Sequence, residues 1–445
     1  MKSKIAKVSA VLIAGLILFS LIPLNIASAD GEIPIDESHF PDENFRNFIL
    51  NGYDGLTEVK IDTDGNGSLS EAELAAVVNI CVYEMYITDL AGIEYFTELT
   101  YLDCDTNELT ALDVSQNTAL EYLICDGNCF KNLDISNNSA LKAIDCYDNL
   151  LTSLDVSNNP ELEELYCFNN QITNLDVSNN PYLTELDCSS NSLTSLDVSS
   201  NTELTDLYCY NNCLTELDLS NNNELVCLYY GENPLTNPNQ PLETLSEEAA
   251  SNLSWFGCDG LGLTQLDLSP YTSLEWLDCS NNRLTSLDFS CNTELVDFDC
   301  SGNAYPVPSS PYDLTGLPEG FDLNNASNWQ NGIVEGNILT FNDENVPVKY
   351  TYDCGQDMKA EFSLYVSDEE PEPTEEPEPT DEPVPTEEPE PTDEPAPTEE
   401  PEPTDEPEPT DEPETPETGC ISLVGAGAAA LLAGAGIVLL RKKRQ

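Results

Sequence analysis

Along residues 77–303 the apolar positions keep a beat of 21 residues. Counted from a leucine as offset 0, they fall at offsets 0, 3, 5, 10, 13 and 15, as in LTELDCSSNSLTSLDVSSNTE from Leu183. The offset-0 leucines are Leu99, Leu120, Leu141, Leu162, Leu183 and Leu204, then Leu253, Leu274 and Leu295. Offsets 3 and 5 share one face of an extended segment, because side chains alternate along a strand. This predicts one short strand per unit. Units stacked in register then predict a parallel sheet with strands about 4.8 Å apart. Val77, Ile80, Val82, Ile87 and Leu90 mark a degenerate first unit at 77–98. The unit at Leu225 is lengthened by NPNQPLETLSEEAASN, which predicts a loop or short helix bulging from the stack.

The polar positions follow the same beat. Asn107, Asn128, Asn149, Asn170, Asn191, Asn212, Asn282 and Asn303 sit at offset 8. They are expected to turn inward and bond the backbone of adjacent turns, since buried polar groups need partners. Asp155, Asp176 and Asp197, at offset 14, fall between two inward apolar residues and should face solvent near a turn. Turn chemistry is the expectation there, with a calcium-binding ladder as the alternative. Cys104, Cys125, Cys146, Cys167, Cys188, Cys209, Cys258, Cys279 and Cys300 all take the inward offset 5, where Tyr230 replaces Cys in the lengthened unit.

Parallel neighbours about 4.8 Å apart do not match the roughly 3.8 Å Cβ spacing of a disulfide. A straight ladder does not converge tetrahedrally on zinc. A nucleophile needs a base, and the single histidine, His39, lies outside the repeats. The ladder is therefore expected to be core packing. So many thiols in an exported chain point to a reducing or oxygen-poor setting. Cys81, Cys129, Cys213, Cys227, Cys291 and Cys354 obey no such rule, and a disulfide among them stays open.

The unit resembles the leucine-rich repeat, L-x-x-L-x-L-x-x-N/C-x-L, with Cys at its third apolar place. That resemblance implies a leucine-rich-repeat solenoid with a parallel β-sheet on its concave face. The expected ends are a small helical EF-hand-like N-terminal cap at 30–76 and a small β C-terminal cap at 304–367. In the first, IDTDGNGSLSEAEL matches the EF-hand loop from Asp62. Asp62, Asp64, Asn66, the Ser68 carbonyl, Ser70 through water, and Glu73 would supply oxygens to one structural Ca2+, with an acidic turn as the alternative. Helices are expected at 42–50 and 71–78. Internalin-like surface proteins place an EF-hand-like cap before their repeats, and this chain resembles them in that order. Beyond Asn303, NILTFNDENVPVKYTYDCG and KAEFSLYV alternate as β-strands do.

The ends bear on location. Lys2, Lys4 and Lys7, an apolar run and Ala27-Ser28-Ala29 read as a signal peptide, residues 1–29, cut between Ala29 and Asp30. Residues 421–440 are uncharged and mostly apolar, and Arg441-Lys442-Lys443-Arg444 follows. Before them stands Thr415-Pro416-Glu417-Thr418-Gly419. This order, residues 415–445, resembles a sortase cell-wall sorting signal, with Thr415 where that family has Leu. The resemblance implies cleavage between Thr418 and Gly419 and attachment of Thr418 to peptidoglycan. The alternative is a single-pass membrane anchor.

Residues 368–414 repeat hexads such as EPTDEP, a Pro-rich acidic stalk whose charges repel. The net charge of −69, with 83 Asp and Glu against 14 Lys and Arg, excludes nucleic acid as a partner.

Outward strand offsets 1, 2 and 4 should line the concave face, where solenoids bind. They carry Tyr101, Tyr122, Tyr166, Tyr208, Tyr229, Trp255 and Trp276 among Asp103, Asp145, Glu185, Asp187 and Asp278. Aromatics supply contact area, and carboxylates favour a basic protein or peptide. The expected function is adhesin-like recognition of an extracellular protein by a monomer. A structural or glycan-binding wall protein is the alternative, and an enzyme ranks last for want of a catalytic motif.

Overall fold

The computed structural model describes residues 32–52 and 60–367. The readings at Ala29, Asp30, Thr418 and Gly419, and those for residues 1–29, 368–414 and 415–445, lie outside the described residues. No helix among the described residues is long and apolar enough to cross a membrane.

The described residues open with β1 (Ile33–Pro34) and a helix, Glu43–Asn51. Asp42 caps that helix, accepting from the N–H groups of Asn44 and Phe45 at 2.9 and 3.0 Å. Its other oxygen accepts from the N–H and hydroxyl of Thr88, both at 2.9 Å, tying the cap to the first turn of the solenoid. β2 (Ser68–Leu69) pairs antiparallel with β1 and leads into a helix, Glu71–Ala76. Ser70 and Glu73 cap this helix reciprocally, as a capping box. It stops two residues short of the expected end because Val77 turns extended.

Eleven parallel strands follow in sequence order: β3 (Asn79–Cys81), β4 (Tyr101–Asp103), β5 (Tyr122–Ile124), β6 (Ala143–Asp145), β7 (Glu164–Tyr166), β8 (Glu185–Asp187), β9 (Asp206–Tyr208), β10 (Cys227–Tyr229), β11 (Trp255–Gly257), β12 (Trp276–Asp278) and β13 (Asp297–Asp299). Register is strict: Leu165 stands beside Leu186, and Leu186 beside Leu207. The lengthened unit carries two short helices, Gln240–Thr244 and Glu247–Asn252.

The inward asparagines bridge adjacent turns. Asn212 Nδ2 donates to the carbonyls of Cys188 and Cys209 at 3.0 and 3.1 Å, and its Oδ1 accepts from Leu193 N–H at 3.0 Å. The same three bonds recur at Asn128 and Asn149. One residue earlier the backbone passes through the left-handed region, at Thr106, Asp148, Asn169, Ser190 and Asn211 (φ 50 to 53°). That conformation is costly for all of these side chains except Asn and Asp. The offset-14 aspartates are turn caps, as in Asp155, which accepts from Ser157 N–H at 2.9 Å.

The cysteine ladder lies in the core. Cys104 through Cys279 are sealed from solvent, and Cys300 is 7% exposed. None of the described cysteines is in a disulfide. Tyr230 fills the ladder position of the lengthened unit, its hydroxyl donating to Pro238 O at 3.3 Å, and its ring stacks on Phe256.

The C-terminal cap comprises β14 (Ala304–Val307), β15 (Tyr312–Asp313), β16 (Ala326–Gln330), β17 (Gly332–Glu335), β18 (Ile338–Phe341), β19 (Val348–Asp353) and β20 (Lys359–Val366). They form a four-stranded sheet, β14-β20-β19-β16, and a three-stranded one, β15-β18-β17. Tyr350 hydroxyl donates to Thr285 O at 2.7 Å, and one apolar cluster runs from the N-terminal cap through the repeats into this one.

Burial also raises every ladder thiol above its ordinary pKa, so none is a ready nucleophile. In the native chain, alkylation mapped by mass spectrometry should mark Cys213 and Cys291, the two exposed described thiols, first. The ladder cysteines should react only after unfolding. Native labelling of Cys146 or Cys188 at a comparable rate would contradict the packed core.

Candidate functional site

Every sequence-expected groove residue lies on the sheet face opposite the ladder cysteines. Their exposure differs, however. Trp255 is 42% exposed, whereas Asp103 and Asp187 are only 9% and 6% exposed. Both had been expected to line an open face, and the structure corrects this. Asp187 stands in register between Tyr166 and Tyr208, far longer side chains, and bends onto the N–H and hydroxyl of Ser189 at 3.1 and 2.6 Å. Asp145, Glu185 and Asp278 are half-buried.

The aromatic residues fall into three groups. Tyr101 and Tyr122 lean together at 6.3 Å between ring centroids. Tyr147 and Phe168 stack at 4.3 Å, nearly parallel, with Tyr166 on the same turn as Phe168 and bonded through its hydroxyl to Glu185. Tyr147, Phe168 and Tyr210 occupy offset 6, just past the strand, and the sequence reading missed them. Their signal was the same 21-residue spacing read one position beyond the cysteine.

The third group is the largest. Tyr208 stacks on Tyr229 at 5.1 Å, Tyr229 on Trp276 at 5.5 Å, and Trp276 on Trp255 at 6.1 Å. Tyr229 reaches Trp276 across β11 only because residue 257 is glycine. A Cβ there would come within 2.5 Å of the Tyr229 ring. Cys227 Sγ lies 3.0 Å from Tyr208 hydroxyl and fixes its lean.

Carboxylates surround these rings. Lys142, paired with Glu121 at 2.6 Å, is the one cation on the described strands and their flanking offset-1 residues from Thr100 to Asp299. Loss of hydration on burial raises Asp187 to about 6. Burial, then the charges of Asp278 and Glu232, raise Asp259 to about 7.

In the N-terminal cap, oxygens of Asp62, Asp64 and Glu73 all lie within 4.8 Å of one another. Asp62 is 2% exposed and accepts from the N–H groups of Gly65 and Gly67 at 2.8 and 3.2 Å, which wraps the loop around it. Glu73 accepts from Thr63 through one oxygen and from Ser70 through the other. Asn66 Oδ1 accepts from Ser68 N–H at 2.7 Å, and Ser70 caps the helix. Three hard carboxylate donors converging in a wrapped loop fit a calcium ion.

Asp36, Ser38 and His39 also meet, but Ser38 Oγ and Asp36 Oδ1 both approach His39 Nδ1, at 3.1 and 2.8 Å. A nucleophile relay uses the two ring nitrogens separately. This is a turn.

Comparison with known proteins bears on the repeats. The family described as leucine-rich repeats (2 copies) matches residues 160–201. Internalin J of Listeria monocytogenes serotype 4b (strain F2365) is 39% identical over 79 residues, which is 18% of this chain and 8% of that protein. Among solved structures, the functional domain of InlJ from Listeria monocytogenes, which includes a cysteine ladder, aligns at 24% identity and a TM-score of 0.44. That alignment covers 77% of this chain and 100% of that one. An internalin C2 from Listeria monocytogenes str. 4b F2365 aligns at 24% identity and a TM-score of 0.44, over 51% of this chain and 97% of its own. The described residues form a leucine-rich-repeat solenoid of eleven strand-bearing turns, of which residues 160–201 match the family. Within that class its repeats are similar to those of internalins.

Because Asp187 and Asp259 have folded-state pKa values above the unfolded 3.8, they hold protons that the unfolded chain releases. Their contribution to stability is complete below that unfolded value and fades as pH rises through about 6 and about 7. The melting temperature should fall between about pH 5 and about pH 7.5, and Asp187→Asn with Asp259→Asn should flatten that slope. An equal slope in the double variant refutes the assignment.

Proposed function

We propose that this chain is an exported cell-surface protein that recognises an extracellular protein partner through the concave face of its solenoid. The observation that carries this reading is the stack of Tyr208, Tyr229, Trp276 and Trp255 on outward strand positions, rimmed by carboxylates. Stacked aromatics are rigid contact area that costs little entropy to immobilise, which is why Trp and Tyr dominate interface hot spots. The rings stack on one another rather than standing apart as separate sugar platforms. That favours a protein partner over the glycan alternative.

The signal cleavage at Ala29 and Asp30 and the sortase-dependent joining of Thr418 to peptidoglycan remain part of the proposal on sequence grounds. They would hold the groove outside the cell on its acidic stalk. The intact chain should capture a protein from extracellular material, and Tyr166→Ala, Tyr208→Ala and Trp276→Ala together should abolish capture. Capture of polysaccharide alone, or capture unchanged in the triple variant, sinks the reading.

We also propose that the N-terminal cap holds one calcium ion. Asp62, Asp64, Asn66, Ser70 and Glu73, with the Ser68 carbonyl, would bind it, and the ion would neutralise carboxylates otherwise crowded together. Calcium should raise the melting temperature of the wild-type chain relative to chelator, and Glu73→Gln should remove that shift. A wild-type transition indifferent to calcium rejects the site.

A further inference from the structure

The ring stack is asymmetric: Trp276 is half-buried and meets rings only from the earlier strands. Trp276 packs against Trp255 and Tyr229 on the side of the earlier strands. Its opposite side is turned toward β13, where the register partner is Asp297, an exposed short side chain. Beyond β13 the sheet ends. Around this face stand Glu275, exposed, and Asp278 and Asp299, half-buried. The strands β9 to β13 and the residues flanking them, 205–209, 226–230, 254–258, 275–279 and 296–300, contain no Lys or Arg.

Apolar side chains border the same place. Val226 is 38% exposed, Trp255 42% and Val296 81%, all on the concave sheet or its leading edge. An aromatic face beside several carboxylates, with apolar surface adjoining, suits a guanidinium or ammonium group. Such a group stacks on the ring, pairs with carboxylates, and rides on an apolar stem.

We infer that β9 to β13 dock a basic segment of the partner protein. An Arg or Lys side chain of that segment lies against the β13-facing side of Trp276 and pairs with Asp297 and Glu275, while neighbouring apolar residues cover Trp255, Val226 and Val296. This rests on the concave-face reading above and specifies its chemistry.

The test is selection of a random-peptide display library on the intact chain, followed by affinity measurement of the selected peptides. Enrichment of peptides with Arg or Lys beside aromatic or aliphatic residues is expected. Their affinity should fall by about tenfold or more in Trp255→Ala and in Asp297→Asn. Trp255→Ala leaves the net charge unchanged, and its partial exposure permits replacement without loss of fold, checked by thermal melting. Basic peptides insensitive to Trp255→Ala would be held by the overall negative charge alone, which overturns the inference. Neutral or acidic peptides lost in Trp255→Ala would sustain concave recognition but refute the basic class. Peptides indifferent to every groove variant, or no enrichment, would defeat both readings.

Discussion

The carboxamide of one asparagine per turn is the interaction on which the rest of the solenoid depends. Each unit must leave its strand sharply, through a left-handed residue, and that exposes carbonyls and an N–H to the interior. Asn170 answers them with bonds to Cys146 O, Cys167 O and Leu151 N–H, at 3.0, 3.1 and 2.9 Å. Unpaired, each such buried group would cost roughly 1–3 kcal/mol. The series has one gap in the lengthened segment. Leu261 stands where an asparagine is due, and Asn282 accepts from the N–H groups of both Leu261 and Leu263, at 3.1 and 3.0 Å. With the turns so pinned, strand register follows, and with it the alternation that sends cysteine inward and tyrosine outward.

The width of the core at offset 5 then accounts for the sulfur ladder. The position lies against two identical neighbours about one strand spacing away, where a small, polarizable side chain packs without crowding. A larger group needs rearrangement around it. Tyr230 takes the place in the lengthened unit, where Pro238 receives its hydroxyl; Phe256 stacks on it, and Tyr271 on Phe256, at 6.0 and 5.6 Å.

Most of this was legible in the residues, because the period of 21 fixes which side chains share a face. The strand positions, the inward Asn107 series and a helix starting after Ser70 were all readable from spacing. A second asparagine series at offset 18 was not noticed. Asn138, Asn159, Asn180 and Asn201 are sealed from solvent, and each donates to two carbonyls of the preceding unit, as Asn138 does to Val114 O and Asn117 O at 3.0 and 2.9 Å. The same periodicity carried them, but SNN segments look like ordinary surface turns. The burial of Asp103 and Asp187 was not readable at all. Alternation says which way a residue points, and the lean of its neighbours decides whether water reaches it. The stack across Gly257 likewise depends on ring tilt, which no spacing encodes.

The bonds of the asparagine ladder span fixed sequence intervals: 24 residues back to a carbonyl and 19 back to an N–H. A duplicated or deleted block of one period, taken anywhere between Leu99 and Leu204, restores every such bond at the new junction. Unequal recombination between these near-identical segments would therefore lengthen or shorten the groove by one strand at a time, with no core to redesign. The segment from Tyr230 to Tyr271 has no such freedom, since its three rings fit only one another. Variation in the length of this molecule should therefore spare the segment from Tyr230 to Tyr271.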